Sequence, residues 1–329
     1  MSFANKRVLI TGGCGFIGSN LARRLAGDGA IVTIVDNMMA NYGGNLANIA
    51  DLRDSVWLNI ADVQNRDAMR YLIDGQEYLF NLAGQTSHID SMTDPFTDLE
   101  INSRAQLAIL ETARDVNPAL RIVFASTRQI YGRPRYLPVD EFHPIEPVDV
   151  NGINKWAAEA FHLLYSRVYG IRSCCLRLTN TYGPGMRIRD ARQTFLGIWI
   201  RNLISGQPIE VFGDGTQLRD FNHVDDVVDA FLLAASRDEA IGEVMNLGSD
   251  ETIGLAGLAA MLVDVYGSGT WRLTPFPPDR KAIDIGDYYG DCSKARRTLG
   301  WAPRINLRDG LARTLEYYSS RLSEYWVPV

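Results

Sequence analysis

The amino-acid sequence predicts an α/β protein, a doubly wound parallel β-sheet followed by a smaller C-terminal α/β lobe. Three observations predict it. Short apolar, β-rich runs alternate with helical stretches through the first half, the rhythm that produces a parallel sheet with helices on both faces. The rhythm breaks after residue 180, where Pro and Gly become frequent. The length, 329 residues, is roughly two to three times that of a usual domain, enough for one large unit or two closely joined lobes.

Taken in order, strands are expected over 7–11 (RVLIT), 31–36 (IVTIVD), 56–60 (VWLNI), 78–83 (YLFNLA), 121–126 (RIVFAS) and 173–178 (SCCLRL), each brief, apolar and bounded by turn residues. Helices are expected between them over 16–26, 66–73, 96–116 and 155–169. Beyond 180 come loops such as TYGPG, GDGTQ and TPFPPD, with one more strand at 244–247 returning to the main sheet. The division is therefore 1–180, with return segments near 220–250, and 181–329. No repeat, low-complexity tract or flexible linker interrupts it, so the lobes should pack rigidly around a cleft, where α/β proteins place ligands.

Composition narrows the function. Forty-six percent of residues are apolar and 22% charged, with 33 basic against 39 acidic side chains and a net charge of −6. Nonspecific nucleic-acid binding needs a basic surface and is not expected. The apolar run after the N-terminus spans about four residues, too short for a signal peptide, and no segment approaches the ~20 apolar residues that span a bilayer. The expected location is cytoplasmic, without membrane association. Cys14, Cys174, Cys175 and Cys292 form no C-x-x-C or Cys/His cluster, so they read as buried small hydrophobes and no metal is expected.

The first strand leads into TGGCGFIGSNLARRL. Gly12 permits a tight turn, Gly15 lets backbone amides approach a diphosphate, and Gly18 lets the helix pack closely on the strand. The helix N-terminus that starts at Phe16 and Ile17 adds a partial positive charge for the phosphates. Strand, loop and helix in this order make a Rossmann-type dinucleotide site. The second strand ends in Asp36, whose carboxylate can accept hydrogen bonds from both adenosine ribose hydroxyls and would repel a 2′-phosphate. Asn37, Met38 and Met39 offer no arginine to offset that, so NAD is favoured over NADP. Asp62 and Val63 after the third strand are placed to contact the adenine, although an Asp capping the next turn would have the same signature.

The set T-G-G-x-G-F-I-G, Asp36-Asn37, Asn81-Leu82-Ala83-Gly84, Ser126-Thr127 with Ile130-Tyr131-Gly132, Lys155, LRLTNTYGP at 176–184, QLRDFNHVDDVV at 217–228 and SKARRTLGW at 293–301 resembles the extended short-chain dehydrogenase/reductase family, specifically its nucleotide-sugar epimerases and dehydratases. The resemblance covers essentially the whole chain. It implies NAD held by Gly12, Gly15, Phe16, Ile17, Gly18, Asp36, Asn37, Asp62, Val63, Leu82, Ala83, Gly84, Asn102 and Lys155. The implied chemistry oxidises a sugar hydroxyl to a transient ketone and reduces it again. In the family a Tyr-x-x-x-Lys pair does this: lysine holds the nicotinamide ribose and lowers the tyrosine pKa, while a Ser or Thr bonds the reacting oxygen. Thr127 and Lys155 take the hydroxyl and lysine roles.

The tyrosine position holds Asn151, in VDVNGINKW, and no tyrosine lies between Tyr136 and Tyr165 to rescue it. A carboxamide can position an oxygen but cannot take a proton. Another group or a water chain then carries the proton, with His88 in the polar loop 85–88 of suitable side-chain type and Tyr131, Asp149 and His143 as further candidates. An engineered Tyr→Asn exchange that traps substrate, or a non-catalytic protein that binds NAD and a nucleotide sugar, are the alternatives. Retention of Thr127, Lys155 and the sugar-side residues favours an active enzyme.

On the substrate side the resemblance implies contacts from Ser87 and His88, from Asn180 to the diphosphate or sugar, and from Arg219, whose planar donors suit phosphate. Arg280 and Lys281 compete for a second phosphate contact, and Arg280 has the better geometry. Family members that dehydrate at positions 4 and 6 carry Asp-Glu directly after the Thr, where this chain has Arg128-Gln129. An epimerase is therefore expected first, with a dehydratase, decarboxylase or other redox-neutral lyase as the alternative. The helices near 96–116 and 155–169 carry Leu99, Leu107, Leu110, Trp156, Phe161, Leu164 and Tyr165, most of them expected against the sheet. Family members often dimerise through these two helices, so a homodimer is expected.

Overall fold

A strand buried on both faces must be apolar on both, and Val8, Leu9 and Ile10 of β1 (Arg7–Thr11) are fully enclosed. The computed structural model describes residues 2–327 except 40, 43, 191 and 193. Its further strands are β2 (Ile31–Asp36), β3 (Val56–Ile60), β4 (Tyr78–Asn81), β5 (Arg121–Thr127), β6 (Arg172–Leu178), β7 (Asn180–Tyr182), β8 (Ile209–Phe212), β9 (Leu218–His223), β10 (Val244–Leu247), β11 (Thr252–Gly254) and β12 (Trp271–Thr274). Seven of them form one sheet in the order β10-β6-β5-β4-β1-β2-β3, with every neighbouring pair parallel. The chain winds outward from β1 through β2 and β3, then returns to β4 on the other side. That reversal opens a crevice beyond the carboxyl ends of β1 and β4.

Thr11 closes the floor of the crevice. Its hydroxyl donates to Asn81 Oδ1 at 2.9 Å and accepts from the Leu82 and Ala83 amides at 3.0 Å each. Those side-chain bonds replace the ladder, so β4 ends at Asn81 and not at residue 83 as expected.

The helices that concern the crevice are α1 (Phe16–Gly27), α2 (Arg66–Ile73), α3 (His88–Thr93), α4 (Pro95–Leu99), α5 (Ala105–Val116) and α6 (Val150–Tyr169). The expected 96–116 helix is α4 and α5 joined by a π-turn over Glu100–Arg104. The helix expected from 155 begins earlier, because Asp149 caps it: its Oδ1 accepts from the Gly152 amide at 2.7 Å. Asn151 thus lies in the first turn of the helix that carries Lys155.

The expectation that the apolar residues of these helices mostly face the sheet needs correction. Leu110 and Tyr165 are buried, but Leu99, Trp156 and Leu164 are 42%, 43% and 40% exposed. One helix face meets the sheet, and these three lie on the other.

The C-terminal half adds a three-stranded sheet, β11-β9-β7, and a β12-β8 pair. One contiguous apolar cluster includes Phe80 and Leu176 of the main sheet together with Trp199, Phe221 and Tyr318 from the C-terminal half. The two halves therefore share a core. The four cysteines are free and buried. Among the described residues no helix is long and apolar enough to cross a membrane, and no group of three or more His, Cys, Asp or Glu side chains is arranged to hold a metal.

Candidate active site

The glycine loop is shaped by contact as well as by conformation. Gly12 has φ +70°, and a Cβ on Gly18 would sit 2.3 Å from the Gly12 carbonyl oxygen. No side chain caps the N-terminus of α1, so its first amides face the crevice, as a diphosphate requires. Asp36 is buried and accepts from the Cys14 amide at 3.0 Å through Oδ2 and from the Met38 amide at 2.9 Å through Oδ1. Burial pushes its carboxyl up, against the pull of those amides. Asp62 caps the following turn by accepting from the Gln64 amide, and it also holds Asn37 through Oδ2 at 2.9 Å.

One cleft is lined by Gly12, Gly15, Phe16, Ile17, Gly18, Asp36, Asn37, Asp62, Val63, Leu82, Ala83 and Gly84, and also by His88, Thr127, Asn151, Lys155 and Asn180. The remaining expected residues lie elsewhere. Asn102 sits behind the wall, bonded to Gln85 and Asp98. Ser87 caps α3 by accepting from the Asp90 amide. Arg219 is buried, with its guanidinium on the Leu218 and Gly286 carbonyls and Gln217, and burial pushes it down to about 10. Arg280 lies over the Phe212 ring at 5.5 Å. None of these four lines the cleft.

Lys155 donates to the Ala125 carbonyl at 2.9 Å and stands 4.8 Å from the Phe124 ring centre. Burial pushes its ammonium down to about 8, with Asp98 working the other way. Thr127 ends β5 and accepts from the Gln129 amide at 3.2 Å, which leaves its hydroxyl proton for an oxygen in the cleft.

Asn151 is held by its amide nitrogen. Nδ2 donates to the Gln85 carbonyl at 2.8 Å and to Asp98 Oδ2 at 3.0 Å. The buried Asp98 carboxylate also receives Asn102 at 3.0 Å and Asn154 at 2.8 Å. Three carboxamides thus converge on one carboxylate, and the Asn151 oxygen is the atom left to meet a ligand, as an acceptor only.

A second pairing lies across the same cleft. His88 Nδ1 is 2.9 Å from Asp149 Oδ2, and His88 is 36% exposed while Asp149 is 1% exposed. Gln129 Nε2 lies 3.2 Å from both. A ring nitrogen facing a carboxylate carries its proton, so Gln129 donates to Asp149, and in the neutral ring Nε2 of His88 is the acceptor nitrogen. Burial works to raise the Asp149 carboxyl, but His88, the Gly152 amide and Gln129 together hold it below the usual range.

The other proton candidates are committed elsewhere. The buried Tyr131 hydroxyl accepts from Arg177 at 2.5 Å and donates to Asn246 at 2.7 Å, and burial pushes its phenol up. His143 Nε2 accepts from the Arg135 amide at 2.8 Å. Sequence reasoning missed Asp98 and the Gln129 contact to Asp149. No spacing rule marks either, since both acquire partners from distant segments.

The fold and the glycine loop define a dinucleotide-binding α/β protein, with Lys155 and Thr127 lining the same cleft. The chain belongs to the NAD-dependent epimerase/dehydratase family, whose model matches residues 8–248, and NAD is its cofactor. It is 33% identical to a protein described as a putative UDP-glucose 4-epimerase of Methanocaldococcus jannaschii, over 94% of this chain and 97% of that one. Among solved structures, the UDP-glucose 4-epimerase of Thermotoga maritima with UDP-glucose matches with a TM-score of 0.87 at 29% identity, over 96% and 99% of the two chains. The dTDP-glucose 4,6-dehydratase of Streptomyces venezuelae with NAD bound matches with a TM-score of 0.87 at 26% identity, over 96% and 98%.

Proposed function

We propose that the protein is a nucleotide-sugar epimerase working through a transient keto-sugar, in which His88, oriented by Asp149, takes the proton that a tyrosine takes elsewhere in the family. The carrying observation is the 2.9 Å contact between His88 Nδ1 and Asp149 Oδ2, in a cleft where Asn151 has only a carbonyl oxygen to offer. When bound, NAD supplies the acceptor and later the donor of a hydride. Thr127 donates to the reacting oxygen, His88 Nε2 receives its proton and returns it, and Asn151 orients the sugar through its oxygen. Lys155 holds the nicotinamide ribose, and Asn180 meets the substrate beyond Thr127. Arg219 and Arg280 remain phosphate contacts only if the loops around 217 and 280 rearrange on binding. Neither Arg128 nor Gln129 has the chemistry of an elimination acid and base, which disfavours the 4,6-dehydratase alternative.

A homodimer is part of the proposal. Phe96 is 76% exposed, and with Leu99, Trp156 and Leu164 it gives α4 and α6 an outward apolar face that a second copy would cover. Light scattering on the purified protein tests this, a monomer mass at micromolar concentration counting against it.

The function is tested by incubating the NAD-loaded protein with UDP-, GDP-, dTDP- and CDP-sugars. An epimer should form with no build-up of NADH absorbance. Tight binding without turnover across the panel would support the non-catalytic reading instead. Asn151→Tyr is expected to lower activity, because it removes the Nδ2 donor from the Gln85 carbonyl and the buried Asp98 carboxylate. A large gain would show that the missing tyrosine is the only defect.

Lys155 gives a prediction in pH. An ammonium depressed to about 8 is present below that pH and lost above it, so NAD affinity should fall as pH rises through about 8, by up to about tenfold per pH unit. Stability should move oppositely: the unfolded lysine keeps its proton to about 10.5, so the folded state gains between about 8 and 10.5. Cofactor titrations and denaturation at matched pH values check the two signs.

A further inference from the structure

Arg128 follows Thr127 directly and opens the turn Arg128–Tyr131 at the end of β5. Its guanidinium lies 4.8 Å from the Tyr288 ring centre, and Nη2 donates to Asn180 Oδ1 at 3.2 Å. Nη1 is buried with no hydrogen-bond partner among the described residues. The carboxylates in its surroundings are engaged with other groups. Asp220 accepts from the Thr179 hydroxyl at 2.5 Å and the Gly290 amide at 3.2 Å. Asp284 accepts from Gln217 at 2.8 Å, and Asp149 holds His88 and Gln129. Among the described residues no carboxylate forms a salt bridge with Arg128.

A buried cation with no carboxylate in direct contact is costly, nearby Asp220, Asp284 and Asp149 offsetting that only from a distance, and an anionic ligand group in contact would offset it further. Burial already pushes this guanidinium down from its ordinary value, the direction an incoming anion would reverse. Arg128, Thr127 and Asn180 all line the cleft, and Arg128 adjoins Thr127 in sequence, so a ligand held at Thr127 lies beside this side chain.

Resting on the nucleotide-sugar function proposed above, we propose that Arg128 binds an anionic oxygen of the substrate, through the buried Nη1 and beside the hydroxyl of Thr127. Two parts of such a substrate carry that chemistry: a carboxylate on the sugar, as in a uronic acid, and the diphosphate. A planar guanidinium presents parallel donors to either. Its stacking on Tyr288 and its bond to Asn180 fix the plane before the ligand arrives, which limits the ordering that binding must supply.

The test uses the NAD-loaded full chain, as wild type, Arg128→Met and Arg128→Lys, with calorimetric affinities for UDP-glucose, UDP-glucuronate and UDP, repeated with dTDP, GDP and CDP forms. NAD retention serves as the folding control, and Arg128→Lys keeps the charge without the fork should Arg128→Met not fold. If the sugar carboxylate is the partner, wild type prefers the glucuronate over the glucose form, and Arg128→Met erases that preference with a loss of about 10- to 100-fold on the glucuronate alone. If the diphosphate is the partner, Arg128→Met weakens all three ligands by a similar factor, including the sugar-free one. Arg128→Lys should lose part of the same effect in either case. Unchanged affinities in both variants, with wild type binding normally, would overturn the role of Arg128 and leave the function standing. Failure of the NAD-loaded wild type to bind any of these ligands would instead overturn the nucleotide-sugar function.

Discussion

Replacing His88 with glutamine is expected to lower turnover by on the order of 10²- to 10⁴-fold, the usual contribution of a general base, while NAD binding and substrate affinity change little. Asp149→Asn should give a loss of similar size for a different reason. An amide at 149 would donate to Nδ1, force the ring proton onto Nε2 and so remove the lone pair that faces the cleft. Steady-state kinetics on both variants, with bound NAD quantified, checks the pair. Comparable losses in kcat with KM nearly constant support proton transfer through His88. Full activity in His88→Gln would remove His88 from the chemistry and return attention to a water chain.

The second large effect is expected at Arg177. Its guanidinium meets Glu159 twice, Nη2 to Oε1 at 2.5 Å and Nε to Oε2 at 3.0 Å, and the two side chains are 5% and 2% exposed. The same Glu159 accepts from Ser126, the neighbour of Thr127, at 2.6 Å. Arg177→Met would strand a buried carboxylate, so unfolding free energy should drop by about 3–5 kcal/mol. Adding Glu159→Leu should recover much of that loss, because an apolar pair of similar volume avoids the desolvation of both charges. Denaturant titrations of both single variants and the double variant measure it. A double variant no more stable than Arg177→Met would mean that the carboxylate was never the source of the penalty. The strand end that presents Thr127 depends on the same network, so Arg177→Met should also reduce activity.

Local signals carried the parts of the fold that were legible. The strand, glycine loop and helix around Gly12, Gly15 and Gly18 follow from chemistry within a few residues, and Asp36 sits at the end of β2 as expected. The doubly wound parallel sheet and the return of 244–247 to it are realised, with β10 at its edge. Less was legible where a side chain's partner comes from far along the chain. His88 stood out by residue type, but its pairing with Asp149 depends on α3 and the start of α6 meeting across the crevice. Asp98 had no mark in the sequence at all, although it organises Asn102, Asn151 and Asn154. Arg219 shows the converse: a pattern that pointed at phosphate belongs to a side chain whose donors rest on nearby carbonyls. The helix boundary moved from 155 to 150 because the cap at Asp149 outweighs the residues after it.

The carboxylate at 98 also bears on how such a site can change over generations. An aromatic base at 151 would remove one of three amide donors from that enclosed negative charge and leave it to Asn102 and Asn154. The residues at 98 and 151 are thus tied to one another, and a carboxylate at 98 favours a donor at 151 over a phenol.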